Sequence, residues 1–185
     1  LVEEKGWTLD MDMLESKINS KTKLIVLNSP QNPTGGIIPN EDIERLANLC
    51  KDRDVIVLSD EIYSRIIYSG GFPDSIAKYP WMLDKTIILD GFSKTYSMTG
   101  WRLGYAVMPE ELARAVELLL VHSIGCTATF TQMAGIAALQ ADQPQAGPDP
   151  AGQVLLLGDL GRDRPPDADL RVRGVEQRGG IRVHL

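Results

Sequence analysis

Three polar clusters in the sequence carry side chains able to do chemistry on a small molecule. They are Asn28-Ser29-Pro30-Gln31-Asn32-Pro33-Thr34-Gly35-Gly36, then Asp60-Glu61-Ile62-Tyr63, then Ser93-Lys94-Thr95-Tyr96-Ser97-Met98-Thr99-Gly100-Trp101-Arg102. A lysine amine adds to an aldehyde only in its uncharged form. Lys94 in that role needs desolvation or a nearby positive charge, which Arg102 would help to supply. Taken singly, each cluster also has an ordinary structural reading. Asn-Pro-Thr-Gly makes a turn, because Pro fixes φ and Gly supplies positive φ. An Asp closing a strand caps a helix or faces water, and most Lys and Arg are solvated. Tyr63 alone would pack as core with its hydroxyl reaching water.

The elements that carry these clusters make the grouping informative. Lys23 to Leu27 reads as a strand leading into the first cluster. Val55-Ile56-Val57-Leu58, rich in β-branched residues as a strand covered on both faces would be, leads into the second. Thr86-Ile87-Ile88-Leu89 repeats the pattern and ends at Asp90-Gly91, ahead of the third. Helical patterns lie between them. Asp10 caps a short helix with Leu14 and Ile18 inward. Asn40 reads as the N-cap of a helix to about Arg53, with Glu41, Asp42 and Glu44 at its positive end and Ile43, Leu46, Ala47 and Cys50 on one face. Arg102 to Met108 reads as another strand. Pro109 then opens a helix whose inward face includes Leu112, Ala115, Val116 and Leu119, and a last helix spans about Phe130 to Leu139. Alternating strands and helices predict an α/β fold with a mostly parallel sheet. Such sheets bind ligands beyond the carboxyl ends of their strands, where all three clusters fall.

With 185 residues, 43% of them hydrophobic, the chain is long enough for one globular core. Its formal net charge of −6 works against non-specific attraction to nucleic acid or to an anionic membrane, and neither is expected as a partner. No apolar run approaches the roughly 20 residues of a membrane helix, and the start at Leu1 lacks the basic and apolar regions of a secretory signal. A cytoplasmic location is the expectation. Cys50 and Cys126 have no His or Cys near them at ligand spacing, so they are read as reduced thiols and no metal site is expected. Residues 141–185 change character, lacking Lys and aromatic residues while rich in Arg, Gly and Pro. Only Val154 to Leu157 resembles a core segment, and the composition predicts disorder. A shifted reading frame in GC-rich coding DNA would produce the same bias.

Over nearly all of residues 1–140 the sequence resembles the fold-type I pyridoxal 5′-phosphate (PLP) enzymes, and more narrowly the class I/II aminotransferases. Three motifs in order carry the resemblance. They are Asn32-Pro33-Thr34-Gly35, Asp60 with Tyr63, and Ser93-Lys94 with Arg102 eight positions after the lysine. Met98-Thr99-Gly100-Trp101-Arg102-Leu103-Gly104-Tyr105 is similar to the branch that includes many prokaryotic aspartate and aromatic aminotransferases. The resemblance implies an incomplete large domain, a three-layer sandwich around a mostly parallel sheet. It also implies transfer of an amino group from an amino acid to a 2-oxo acid, and a homodimeric parent protein. Lys94 would carry PLP as a Schiff base and move the substrate proton. Asp60 would keep the pyridine nitrogen protonated, and Asn32 and Tyr63 would donate to the ring oxygen. Arg102 would bind the phosphate through its planar fork, with Ser93 adding a hydroxyl.

The sequence departs from that pattern in places. Some relatives carry a phosphate-binding Ser three positions before the lysine, where this chain has Gly91. The family's N-terminal region, with its aromatic residue stacked on the ring and its Tyr reaching the neighbouring subunit, does not precede Leu1. The tail does not resemble the small domain whose Arg grips the substrate carboxylate, and Arg182 in Gly179-Gly180-Ile181-Arg182-Val183 is only a superficial candidate. The chain therefore reads as a partial sequence, with its own activity open. Other readings are a β-lyase or cyclopropane-carboxylate synthase on the same cofactor cradle, or a PLP-binding regulatory module. The last would need a DNA-binding helix, and no basic recognition helix is visible.

Overall fold

A computed structural model describes residues 1–68 and 72–141 in full and 181–184 by their backbone. Strands β1 (Leu24–Asn28), β2 (Ile56–Asp60) and β3 (Thr86–Gly91) lie side by side and parallel. Strand β4 (Gly104–Pro109) runs antiparallel to β3, and β5 (Ile181–His184) runs antiparallel to β4. The register brings the parallel strand ends level, with Asn28 opposite Asp60 and Asp60 opposite Leu89. The expected α/β fold is therefore present, its parallel part made by the three strands that precede the polar clusters. The tail reading falls on residues 142–180 and 185, outside the described residues. Residues 181–184 are the part of it that the sheet takes in.

The main core forms where helix α2 (Asn40–Cys50) lies on β1 and β2. Ile43, Leu46, Ala47 and Cys50, at helical spacing, are buried against Ile25, Leu27, Val55 and Val57. Leu46, with no residual exposure, contributes about 1.5–3 kcal/mol by leaving water. The helix stops at Cys50 and not near Arg53, and just beyond it Lys85 Nζ donates to the carbonyls of Cys50 (3.1 Å), Lys51 (2.7 Å) and Arg53 (2.8 Å). Lys85 thus joins Arg53 N, which donates to the Cys50 carbonyl at 3.2 Å, in satisfying the helix end. Asn40 is not the N-cap. It is the first helical residue, behind Pro39, and its Oδ1 accepts from Asp74 N at 3.0 Å, tying the segment after residue 72 to the helix. Asp10 does cap helix α1 (Met11–Lys17), accepting from Met13 N at 2.9 Å, and Leu14 and Ile18 pack on the core as expected.

The opposite face of the sheet is open at β1, where Leu24 and Val26 are 49% and 63% exposed, and Ile56 and Leu58 of β2 are half-buried. The covering on both faces expected for Val55 to Leu58 is therefore partial, and no described residue shields Leu24 or Val26 of the neighbouring strand. Pro109 is the last residue of β4, and helix α4 (Glu110–Ser123) starts one residue later than expected. Its inward residue is Ala113, with Leu112 and Val116 half-buried, while Ala115 and Leu119 are exposed. The second half of that helix, from Leu118 to Val121, has too little packed on it to bury the apolar face. Helix α5 (Thr129–Gln140) closes a second core of Phe92, Met98 and Leu103 beside the third polar cluster.

Candidate active site

The first cluster is docked onto the end of β2 by one side chain. Asn28 Oδ1 accepts from Asn32 N at 2.8 Å, while Asn28 Nδ2 reaches the Asp60 carbonyl at 3.5 Å and Ser29 N donates to that carbonyl at 3.3 Å. The loop then closes on itself. Gln31 N donates to Gly36 O (2.8 Å), and Gly35, at a φ of +74°, donates to Gln31 O (2.7 Å). The Asn-Pro-Thr-Gly stretch is thus a turn, as its composition says, and it also holds the exposed Asn32 beside the strand end that bears Asp60.

After β2 the chain folds into a turn fixed by Ile62 N on Asp60 Oδ1 (3.3 Å), Ser64 N on Glu61 O (2.8 Å) and Ile66 N on Tyr63 O (2.9 Å). That turn aims the half-buried Tyr63 ring at Lys94, whose Nζ stands 5.3 Å from the ring centroid, a cation–π contact. Lys94 belongs to the single-turn helix α3 (Phe92–Thr95), which leaves β3 directly. Phe92 anchors this turn with no exposure, and its N–H donates to Leu103 O at 3.2 Å.

Arg102 sits between this turn and β4 with a φ of +55°, and Ser97 has +54°. Left-handed backbone costs a non-glycine residue about 1–2 kcal/mol and is concentrated at functional loops. Arg102 Nη1 donates to Thr99 O (3.0 Å), and Thr99 Oγ1 donates to Ser93 O (2.8 Å), so the guanidinium is tethered to the residue before Lys94. A groove lined by Ser97, Trp101, Arg102, Thr127 and Phe130 opens beside it.

The structure thus brings Asn32, Asp60, Tyr63 and Lys94 to the carboxyl ends of β1, β2 and β3, with Ser93 and Arg102 tied to the lysine's turn. Among the described residues the Lys94 amine has no acidic partner. The second oxygen of Asp60, the Tyr63 hydroxyl and the Asn32 amide likewise carry no hydrogen bond there. An amine, a carboxylate, a phenol, an amide and a guanidinium at or beside these strand ends fit, by type, the groups that the resemblance expects around PLP. Arg182 lies elsewhere: its backbone pairs with Met108, toward the end of β4 opposite to Gly104, which faces Gly91.

Gly91 explains the missing serine. A Cβ there would stand 2.9 Å from Gly104 Cα and 3.1 Å from Leu103 O, so β3 and β4 meet too closely for any side chain. The sequence reading gave no role to two half-buried acids next to the site. Glu61 accepts from Ser59 Oγ (2.9 Å) and Ser75 Oγ (2.7 Å), and burial pushes its carboxyl up despite those donors. Asp90 accepts from Gly91 N (2.7 Å) and from the Tyr105 hydroxyl (2.9 Å), and burial again pushes it up. Burial and the neighbouring Asp90 raise the Tyr105 phenol as well. Asp and Tyr at paired positions of adjacent strands were the available signal, hidden because the antiparallel turn into β4 could not be read from periodicity.

Residues 1–148 match the family Aminotransferase class I and II. Aspartate aminotransferase of Sulfurisphaera tokodaii is 42% identical over 174 residues, which is 94% of this chain and 42% of that protein. Aspartate aminotransferase of Musicola paradisiaca is 35% identical across the whole chain and 46% of its own length. The chain therefore spans less than half the length of these relatives. Among solved structures, the aromatic aminotransferase from Pyrococcus horikoshii OT3 superposes with a TM-score of 0.70 at 37% identity, over 74% of this chain and 37% of that one. With its motifs, its fold and these relatives in agreement, the chain belongs to the class I and II aminotransferases.

Proposed function

We propose that the chain is the cofactor-binding part of a PLP-dependent aminotransferase that moves an amino group from an amino acid to a 2-oxo acid. The observation that carries this reading is the Lys94 amine, free of any acidic partner among the described residues and poised over Tyr63 beside the strand end that bears Asp60. When bound, PLP supplies an aldehyde that takes up the amino group and a ring that accepts electrons from the substrate Cα. Lys94 would hold PLP through its amine and would move the substrate Cα proton. Asp60, through its uncommitted oxygen, keeps the ring nitrogen protonated. The Tyr63 hydroxyl and the Asn32 amide donate to the ring oxygen. Arg102 and Ser93 hold the phosphate, with Gly91 contributing no hydroxyl.

For the whole protein we infer a cytoplasmic homodimer acting on free amino acids in their biosynthesis, without nucleic-acid or membrane partners. The two free cysteines suit a reducing compartment, and the net charge of −6 opposes polyanions. No described helix is long and apolar enough to cross a membrane. The names of the relatives, aspartate and aromatic-amino-acid aminotransferases, support amino acid substrates.

The test is to incubate the chain with PLP, reduce with borohydride and map the adduct by mass spectrometry. Lys94 should dominate, and Lys94→Ala should abolish the visible band while Lys21→Ala leaves it. Lys85 is unsuitable as the control, because its ammonium holds three carbonyls at the end of α2. Equal labelling of Lys94 and Lys21 would reject the proposal.

A further inference from the structure

We propose that Tyr105 and Asp90 are positioning residues for Lys94, one side chain of β4 holding the two points at which the chain leaves β3 and turns into α3. The inference rests on the function proposed above and assigns it two residues to which the motifs give no role. Asp90 and Tyr105 are register partners across the antiparallel pair, as are Gly91 and Gly104. The Tyr105 hydroxyl donates to Asp90 Oδ2 (2.9 Å), and Asp90 Oδ1 accepts from Gly91 N (2.7 Å), so the phenol fixes the carboxyl that fixes the peptide entering the lysine turn. The ring of the same tyrosine meets Phe92 edge-on at 6.0 Å, and Phe92 in turn packs on Tyr96 at 5.1 Å.

Gly91 has no side chain with which to fix its own direction, and its φ of 177° is extended backbone open to any residue. The direction of exit is set instead by the Asp90 bond and by contact with Gly104. Lys94 stands two residues beyond Phe92, so a small rotation at Gly91 is carried through the rigid turn to Nζ. The pair is half-buried, where a satisfied hydrogen-bond network favours a single geometry more than a half-satisfied one does. Its two ends are separable: Tyr105→Phe keeps the ring on Phe92 and removes only the hydroxyl, whereas Asp90→Asn keeps an oxygen for Gly91 N and removes the charge.

The experiment uses the full chain with PLP and borohydride, each variant held well below its own thermal midpoint, and reads the Lys94-to-Lys21 labelling ratio by peptide mass spectrometry. Tyr105→Phe should lower that ratio about fivefold, the equivalent of one lost hydrogen bond, and Asp90→Asn should do the same. The double variant should be little worse than either single one, as for two halves of one contact. Tyr68→Phe, at an exposed site, should leave the ratio unchanged. A loss of folding stability alone would lower the thermal midpoint without moving the ratio in the folded chain, and that result overturns the positioning role. So does a double variant whose loss is the product of the two single losses. Should Tyr105→Phe fail to fold, Asp90→Asn reads the same contact from the other side. Equal labelling of Lys94 and Lys21 in the unaltered chain overturns the proposed function itself, whereas selective labelling that neither variant disturbs overturns only this inference.

Discussion

The amine of Lys94 stands 5.3 Å from the centroid of the Tyr63 ring, so the residue that ends one strand's turn holds the residue that begins the next. On the function proposed above, Tyr63 has two separable roles, a ring for the amine and a hydroxyl for the cofactor. Tyr63→Phe should raise the PLP dissociation constant about fivefold, for one lost hydrogen bond. Tyr63→Leu should raise it by a similar factor, because the cation–π contact favours the charged amine and its loss does not weaken binding by the neutral one. Absorbance titration measures both, and equal affinity in all three proteins would contradict the assignment.

The contact of Gly91 with Gly104 leaves no room for a serine. Gly91→Ser should therefore destabilise the chain by about 1–3 kcal/mol in urea unfolding, the usual cost of overpacking, and should not tighten PLP binding. A stable variant with tighter binding would mean that the strands separate more easily than their spacing implies.

Glu61 gives a pH signature. Burial raises its folded-state value above the unfolded one, so the folded chain binds the proton more tightly, and the stability this supplies is complete below the unfolded carboxyl value of about 4.3. It is lost as pH rises through the raised value. Glu61→Gln escapes that loss, and its stability relative to the unaltered chain should improve as pH rises above about 4.3. Denaturant melts at a series of pH values test it, and a difference that does not change with pH would show that burial does not raise the Glu61 carboxyl.

Lys85 serves structure and not chemistry. Lys85→Met keeps the stem and removes the ammonium from the three carbonyls, leaving Cys50 with Arg53 N, which should cost about 1–2 kcal/mol. Lys21→Met should be neutral. Urea midpoints of the two variants decide the matter, and indistinguishable values would argue that water satisfies those carbonyls equally well.

Much of the architecture was legible because the apolar runs ending at Asn28, Asp60 and Gly91 are short and bounded by polar residues, which is the signature of parallel strands. The faces were less legible. Leu24 and Val26 look like core in sequence and are exposed, since apolar character does not say whether a covering layer is at hand. Asn40 looked like a cap because the residue type suits one, yet a tertiary partner, Asp74 N, takes its side chain. The motif residues could be named from order and spacing. The roles of Asp90, Glu61 and Tyr105 could not, because they depend on strand register and on the turn into β4, which periodicity does not carry.

The most direct test is a crystal structure of the chain with PLP bound, read at two atoms on opposite sides of one ring. A carboxylate oxygen of Asp60 should lie within about 2.6–3.2 Å of the pyridine nitrogen while Lys94 Nζ is joined to the aldehyde carbon. A ring that meets Lys94 with Asp60 turned into a different cavity would contradict the account.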